Sequence, residues 1–401
     1  MTSAPPSLLP DTVLAQFSES DRTLLVELRR SLHRRPELSW KEKQTQARLR
    51  EALLACGITD VREVADTGLI ASIPGTAGKG PAVALRGDID ALPIQEGTGL
   101  PFASQHDGVM HACGHDMHAT WAVGAGLLLA RSPAVGEVRI LLQPAEELGE
   151  GAPKVIADGG LDGVAAVFGA HVDWRYAVGE IVATEGPLAA STDTFAIEFH
   201  GRGGHGARPQ DTIDPIVGMA AFVSDVQTIV SRRLDPALPG VITIGKLDAG
   251  SAPNVIPEVA RCAGTIRATR PESRALLLKE LEHLAQSVAA THRLTATVKV
   301  TEGTPPLVNS RRGSAWMSDA ARDLLGESAL KELAVANMGG EDFAFYTEKV
   351  DGCFARIGTW REGRSRAGVH TPRFDPDEDA LFVAAALLAA TARRASADLL
   401  G

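Results

Sequence analysis

The sequence has little cysteine: Cys56, Cys113, Cys262 and Cys353 are scattered through 401 residues. That spacing builds no disulfide framework, and reduced thiols in a cytoplasmic setting are the expectation. A basic surface is missing too. The net charge is −10, and no local block of Lys and Arg offsets it. A nucleic-acid partner is therefore not expected, because phosphates call for clustered positive charge. No apolar run is read as long enough to span a membrane, and no basic-then-apolar secretory pattern opens the chain. Common site architectures are absent as well. No serine sits in a G-x-S-x-G turn. There is no G-x-x-x-x-G-K-[ST] loop. The Gly-rich "GRGGHGARP" carries a histidine and a proline, and no helix start follows it at once, so it reads poorly as a phosphate loop.

What remains is a globular composition, 44% hydrophobic and 22% charged with both signs mixed. Such a length exceeds one ordinary core and predicts two domains. Pro5, Pro6 and Pro10 interrupt any helix at the start. Residues 20–56 read as two amphipathic helices parted by Pro36, with Leu24, Leu25, Leu28 and Leu32 on one face. Short apolar runs bounded by Gly and Pro then read as buried strands: "LIASIPG", "AVALRGDID", "EVRILLQPAEE" and "GVAAVFGAHVD". The helical "HATWAVGAGLLLARS" lies among them, and alternation of this kind argues for an α/β domain. From Thr194 the texture changes. "TFAIEFHGRGG" alternates, a helix runs from Ile213 to about Val230, and "GVITIGKLDAG", "VARCAGTIRAT", a helix over 272–290 and "LTATVKVTEGTPP" follow. That order, β-α-β-β-α-β, is ferredoxin-like. The expected architecture is a mixed-sheet α/β domain, 1–187 and 305–401, interrupted by an α+β insert, 188–304.

The densest chemical signal is "MHACGHDMH", with His111, Cys113, His115, Asp116 and His118 inside nine residues. Cys, His and carboxylate are the side chains that bind divalent transition metals, and Gly114 permits a backbone tight enough to point Cys113 and His115 at one ion. The second signal is Glu146 and Glu147 after a strand. Adjacent carboxylates point different ways, so one suits a metal while its neighbour suits the general base. His171 is read at a strand terminus and His370 in a turn-rich loop; each alone is more often structural. Asp88 and Asp90, at another strand end, suit either of two roles, orienting ligand histidines or closing a turn.

These motifs, in this order, resemble the amidohydrolase branch of the aminoacylase and carboxypeptidase-type dinuclear metallopeptidases, which includes hippurate hydrolases and indole-acetyl-amino-acid hydrolases. The resemblance rests on "HRRPELSWKE", "RGDIDALPIQE", "MHACGHDMHAT", "QPAEELGEGA", "GAHV", "GRGGHGARPQDTIDPI", "SAPNVIPEVARCAGTIR", "GGEDFAFY" and "HTPRFDPDEDAL", from His33 to Leu381. It implies that Cys113, His115, Glu147, His171 and His370 hold two divalent ions (Mn, Zn or Co) and that Glu146 is the base. It implies that His205 and Asn254 reach the substrate, with Arg267 holding a carboxylate, and that the insert is a lid and dimerisation domain of a homodimer. The implied reaction is hydrolysis of an N-acyl amino acid, a small-molecule substrate. Two alternatives are a dipeptidase or carboxypeptidase with the same centre, and a non-catalytic binding homologue. The second would be expected to have lost a ligand or Glu146, and this chain keeps them.

Overall fold

The computed structural model describes residues 9–78, 80–333 and 335–401. Pro5 and Pro6 lie outside these residues, while Pro10 precedes a short helix, Asp11–Leu14, where its missing N–H costs nothing. In chain order the main elements are α1 (Glu19–Arg34), α2 (Lys43–Ala55), β1 (Val61–Val64), β2 (Gly68–Ile73), β3 (Ala82–Asp88), α3 (His115–Arg131), β4 (Val138–Gln143), β5 (Val164–Ala177) and β6 (Ile181–Val182). Then come β7 (Asp193–His200), β8 (Gly204–His205), α4 (Pro215–Asp225), β9 (Gly240–Ala249), β10 (Val255–Ile256), β11 (Val259–Ala268), α5 (Pro271–Thr291) and β12 (Thr295–Thr301). The chain ends with α6 (Arg311–Leu325), β13 (Asp351–Trp360) and α7 (Ala380–Leu400). The chain divides into two compact units, Met1–Gly186 with Asn309–Ala334 and Asp342–Gly401, and Pro187–Val308 with Val335–Glu341. The sequence reading left that last short stretch with the larger part.

The larger unit is built on a seven-stranded sheet in the order β1-β2-β4-β3-β5-β13-β6. The four inner strands run parallel and the flanking strands antiparallel, so the sheet is mixed. Every residue of β3 is buried, as expected of a strand covered on both faces. β3 and β4 end side by side, with Asp88 opposite Gln143. The connection β3–α3–β4 runs to one side of β3, and β5 adds on its other side. The carboxyl ends of β3 and β5 therefore flank a point where the strand order reverses, the place where α/β sheets gather ligands.

Two expectations need correction here. His171 does not end its strand: β5 runs on to Ala177 and pairs with β13 as far as Trp360. A helix long and apolar enough to cross a membrane is also present, against the reading that no such run exists. It is Asp379–Leu400, and most of it is buried. α7 packs against α3 and α6, which makes it apolar around much of its circumference.

The smaller unit has a four-stranded antiparallel sheet in the order β9-β11-β7-β12, with α4 and α5 packed on it. Phe195, Ile197, Phe199, Phe222, Leu277 and Leu281 form its core. The alternate residues on β7 face the other way, Thr194 and Ala196 exposed and Glu198 half-buried, which explains the alternation seen in the sequence. The helix expected from Ile213 to Val230 is two pieces, Pro215–Asp225 and Gln227–Arg232.

Candidate metal centre

Gly114 is the hinge of the densest motif. It caps α3 with φ 88°, a left-handed turn that suits glycine, and a Cβ there would stand 2.7 Å from Val172 Cγ2. The turn places Cys113 just before α3 and His115 at its first position. From β4 the chain passes Pro144 into Ala145 (φ 53°) and then Glu146 and Glu147. β5 brings His171, and the loop after β13 brings His370, whose backbone N–H bonds to Ala112 O at 2.8 Å.

These residues converge. His171 Nε2 lies 3.4 Å and His370 Nε2 3.2 Å from Cys113 Sγ. Glu147 Oε1 is 3.5 Å from His370 Nε2 and 3.8 Å from His115 Nε2, and Glu146 Oε2 is 3.8 Å from the same nitrogen. Ligand atoms of Cys113, His115 and His171, of Cys113, Glu147 and His370, and of His115, Glu146 and Glu147 each fall within 4.8 Å of one another. Two rings are turned the way ligands need. His115 Nδ1 donates to Asp90 Oδ1 at 3.1 Å, and His171 Nδ1 donates to Val172 O at 2.8 Å, so in the neutral ring each Nε2 is left as the lone-pair atom. His115 Nε2 and Glu147 Oε1 are buried and find no hydrogen-bond partner among the described residues.

Two buried atoms without a hydrogen-bond partner, beside the Cys113 sulfur, fit a bound cation. Burial, and then the Glu147 charge, push the Cys113 thiol well above its ordinary range. Burial raises Glu147 to about 7. Burial holds His171 well below the usual histidine value, and burial followed by the His115 charge lowers His370. A divalent ion reverses this penalty by giving each lone pair and each negative charge a positive partner.

A family model described as "Peptidase family M20/M25/M40" matches residues 84–394. The chain belongs to this family. An N-acetyl-L-cysteine deacetylase of Bacillus subtilis (strain 168) is 41% identical over 378 residues, 92% of this chain and 88% of the relative. An IAA-amino acid hydrolase of Arabidopsis thaliana is 39% identical over 389 residues, 95% of this chain and 88% of its own. Among solved structures, a dinuclear metal binding peptidase from the M20 family, of Bacillus subtilis, superimposes with a TM-score of 0.82 at 38% identity, covering 94% of this chain and 98% of that one. The family is one of hydrolases, and the chain is a metal-dependent hydrolase with a site for two divalent ions.

Around the M20 site stand residues whose roles the sequence left open. Asp90 is buried. Its Oδ1 takes the His115 ring, and its Oδ2 accepts from Ser39 Oγ at 2.7 Å and from the Glu147 backbone N–H at 3.1 Å. Asp88 has a different partner: its Oδ1 accepts from His118 Nδ1 at 2.7 Å. His118 Nε2 in turn accepts the Val172 N–H at 3.1 Å. Both His118 nitrogens are thus committed to protein, which leaves neither for an ion. Burial opposes charge on Asp88, but Arg86, His115 and His118 outweigh it and hold the carboxyl well below its usual range. Arg86 also bonds Gln143 Oε1 at 2.9 Å and Asp342 Oδ1 at 2.7 Å. The signal for Arg86 was a cation inside the apolar run "AVALRGD", a residue type seldom buried without a partner.

His205 and Asn254 belong to the smaller unit, where the structure brings them together. β8 and β10 form a two-stranded ribbon in which Val255 faces His205, and Gly206 N–H bonds to Asn254 O at 2.8 Å. Both side chains are exposed. His205 Nδ1 accepts the Ala207 N–H at 3.1 Å, so in the neutral ring Nε2 carries the proton and points outward as a donor. Arg267 stands on β11 between buried Ile266 and Ala268, on the sheet face away from the helices.

Proposed function

We propose that this chain hydrolyses the amide bond of N-acyl amino acids, releasing a carboxylic acid and an amino acid. One observation carries the reading: Cys113, His115, Glu147, His171 and His370 form overlapping clusters that run from buried Cys113 to exposed His370, with Glu146 beside them. The named activities of the deacetylase and the IAA-amino acid hydrolase support the substrate class. The five converging residues are assigned as ligands of zinc, manganese or cobalt, and the soft Cys113 sulfur favours zinc. When bound, the ions supply Lewis acidity that lets water lose a proton near neutral pH. Glu146 takes that proton as water attacks the carbonyl carbon and passes it to the nitrogen as the C–N bond breaks, because an amine leaves poorly as an anion. The outward Nε2–H of His205 stabilises negative charge developing on the carbonyl oxygen. Asn254 contacts the substrate, and Arg267 pairs with its carboxylate.

The smaller unit acts as lid and dimerisation domain. Its edge strand β9 exposes Val241 and Leu247. Such an edge is a ready template for the same edge of a second copy. A small N-acylated substrate and that second copy are the assigned partners, with no nucleic acid or membrane. Four free cysteines support a cytoplasmic setting. The test is an assay of chelator-stripped and metal-reloaded protein against acetyl-, benzoyl- and long-acyl amino acids and dipeptides. Hydrolysis of an N-acyl amino acid should vanish on stripping and return with a divalent ion. Full activity without metal, or cleavage of dipeptides alone, overturns the reading.

A further inference from the structure

The stretch between α1 and α2 carries the motif "HRRPELSWKE", to which the reaction assigns no role. Pro36 ends the helical path, and the chain then runs beside the end of β3. Leu38 bridges Ala91, and Ala91 N–H bonds to Glu37 O at 2.9 Å. Contacts from three residues leave this stretch. Ser39 Oγ donates to Asp90 Oδ2 at 2.7 Å. Trp40, itself left-handed at φ 64°, donates its indole N–H to Glu150 Oε2 at 2.8 Å. Glu42 is fully buried; its Oε1 accepts the Ala145 N–H at 3.0 Å and its Oε2 accepts from Thr67 Oγ1 at 2.7 Å.

Each recipient bears on the metal set. Asp90 orients His115 and holds the Glu147 backbone. Ala145 is the left-handed, non-glycine residue immediately before Glu146 and Glu147. An alanine keeps that conformation only where its surroundings hold it, and the direction of the two carboxylates depends on it. Glu150 closes the same loop, whose Gly149 N–H returns to Glu146 O at 2.8 Å. A carboxylate buried without a cation is expensive, yet Glu42 spends both oxygens on a backbone amide and a hydroxyl beside the site.

We propose that Ser39–Glu42 is a positioning element that sets the geometry of the metal ligands, Ser39 through Asp90 and Glu42 through Ala145. The inference rests on the ligand set proposed above. Neither residue touches substrate or ion. They act by fixing where His115, Glu146 and Glu147 point, as outer partners of metal ligands do.

The experiment titrates zinc and, separately, manganese into chelator-stripped full-length protein by calorimetry. It compares wild type, Glu42→Ala, Glu42→Gln and Ser39→Ala, with steady-state kinetics on the loaded enzymes and Tm of the stripped ones. Glu42→Ala should weaken metal binding by about 10–100-fold and lower kcat with little change in KM. Glu42→Gln should restore most of both, since its amide oxygen still accepts from Ala145 N–H and its NH2 can donate to Thr67 Oγ1. Ala145→Gly placed in the Glu42→Ala background should recover part of the affinity, because glycine adopts the left-handed turn unaided. A folded Glu42→Ala protein with wild-type affinity and kcat overturns the proposal, and so does Glu42→Gln as weak as Glu42→Ala. If Glu42→Ala does not fold, Ser39→Ala decides: unchanged affinity in that variant overturns it. A wild type that binds no metal overturns the ligand assignment itself, a result distinct from any difference between variants.

Discussion

Glu146 and Glu147 are chemically identical neighbours in different surroundings, and the proposed reaction gives them different work. Glu147 Oε1 lies against both His115 and His370, and burial raises its carboxyl to about 7. Glu146 reaches His115 alone of these two, at 3.8 Å. Glu146→Gln should therefore abolish turnover, by at least ~100-fold, with metal content near normal, because it removes only the proton carrier. Glu147→Gln should lower bound metal as well as activity. Elemental analysis of the two purified variants checks this, and the reverse pattern would exchange the roles. The residue scale is also where the sequence was most legible. Cys113, His115 and the glutamate pair announce themselves by type and crowding. Ser39 and Glu42 do not, because what they do is bond to an aspartate and a backbone amide that only tertiary folding brings near. His118 shows the same limit from the other side. It sits in the richest motif, yet Asp88 and the Val172 N–H consume both its nitrogens.

At the scale of elements, boundaries carried the information the sequence could not supply. The helix read from His118 starts at His115, one turn earlier, and that turn is what presents the His115 ring to Asp90. β5 was expected to stop at His171 because the hydrophobic run stops there; pairing with β13 carries the strand on through polar residues. α1 offers a test of how the elements around the site are tied. Ser18 and Asp21 form a capping box at its N-terminus, and Asp21 also takes a bidentate contact from Arg131 in the last turn of α3, at 2.5 and 2.6 Å. The Arg131 bond, followed by opposing burial and the Ser18 contacts, lowers Asp21 from 3.8 to about 2. A carboxyl lowered in the folded state stabilises the protein above its unfolded pKa, and that stability is lost as the pH falls through the folded value. Arg131 is 53% exposed, so solvent screening reduces the pair to about 1 kcal/mol, with a similar amount from the cap. Asp21→Asn should thus be less stable than wild type in urea at pH 7. The part of that gap due to the charge should begin to shrink below about pH 4 and be largely gone near pH 2. A gap independent of pH would mean that the charge on Asp21 contributes nothing.

Across the whole molecule the residues to which the proposal gives roles are divided between two units. All five assigned ligands and Glu146 lie in the larger one, and His205, Asn254 and Arg267 in the smaller. Order along the chain made the insert legible, since its β-α-β-β-α-β pattern survives in the strand order β9-β11-β7-β12. The proposed dimer gives this division a purpose. In an isologous pair each site can take His205 from the other subunit, and symmetry supplies both sites equally. A subunit with Glu146→Ala keeps His205 and lacks the base; a subunit with His205→Ala keeps the base and lacks the donor. Either homodimer should be nearly inactive. In a mixed dimer, one site combines the intact Glu146 of the His205→Ala chain with the intact His205 of the Glu146→Ala chain, and the other site has neither. Co-expression with two different affinity tags, followed by sequential purification of the heterodimer, should recover up to about half of the wild-type rate per dimer, since one of two sites is whole. Confirmed heterodimers with no recovery would place His205 at the site of its own chain or outside the reaction. Both substitutions carried on one subunit, opposite a wild-type chain, are the control, because that arrangement also leaves one base and one donor in the dimer. There the two intact groups face different sites under sharing, so the shared arrangement predicts an inactive dimer and the unshared one predicts half activity.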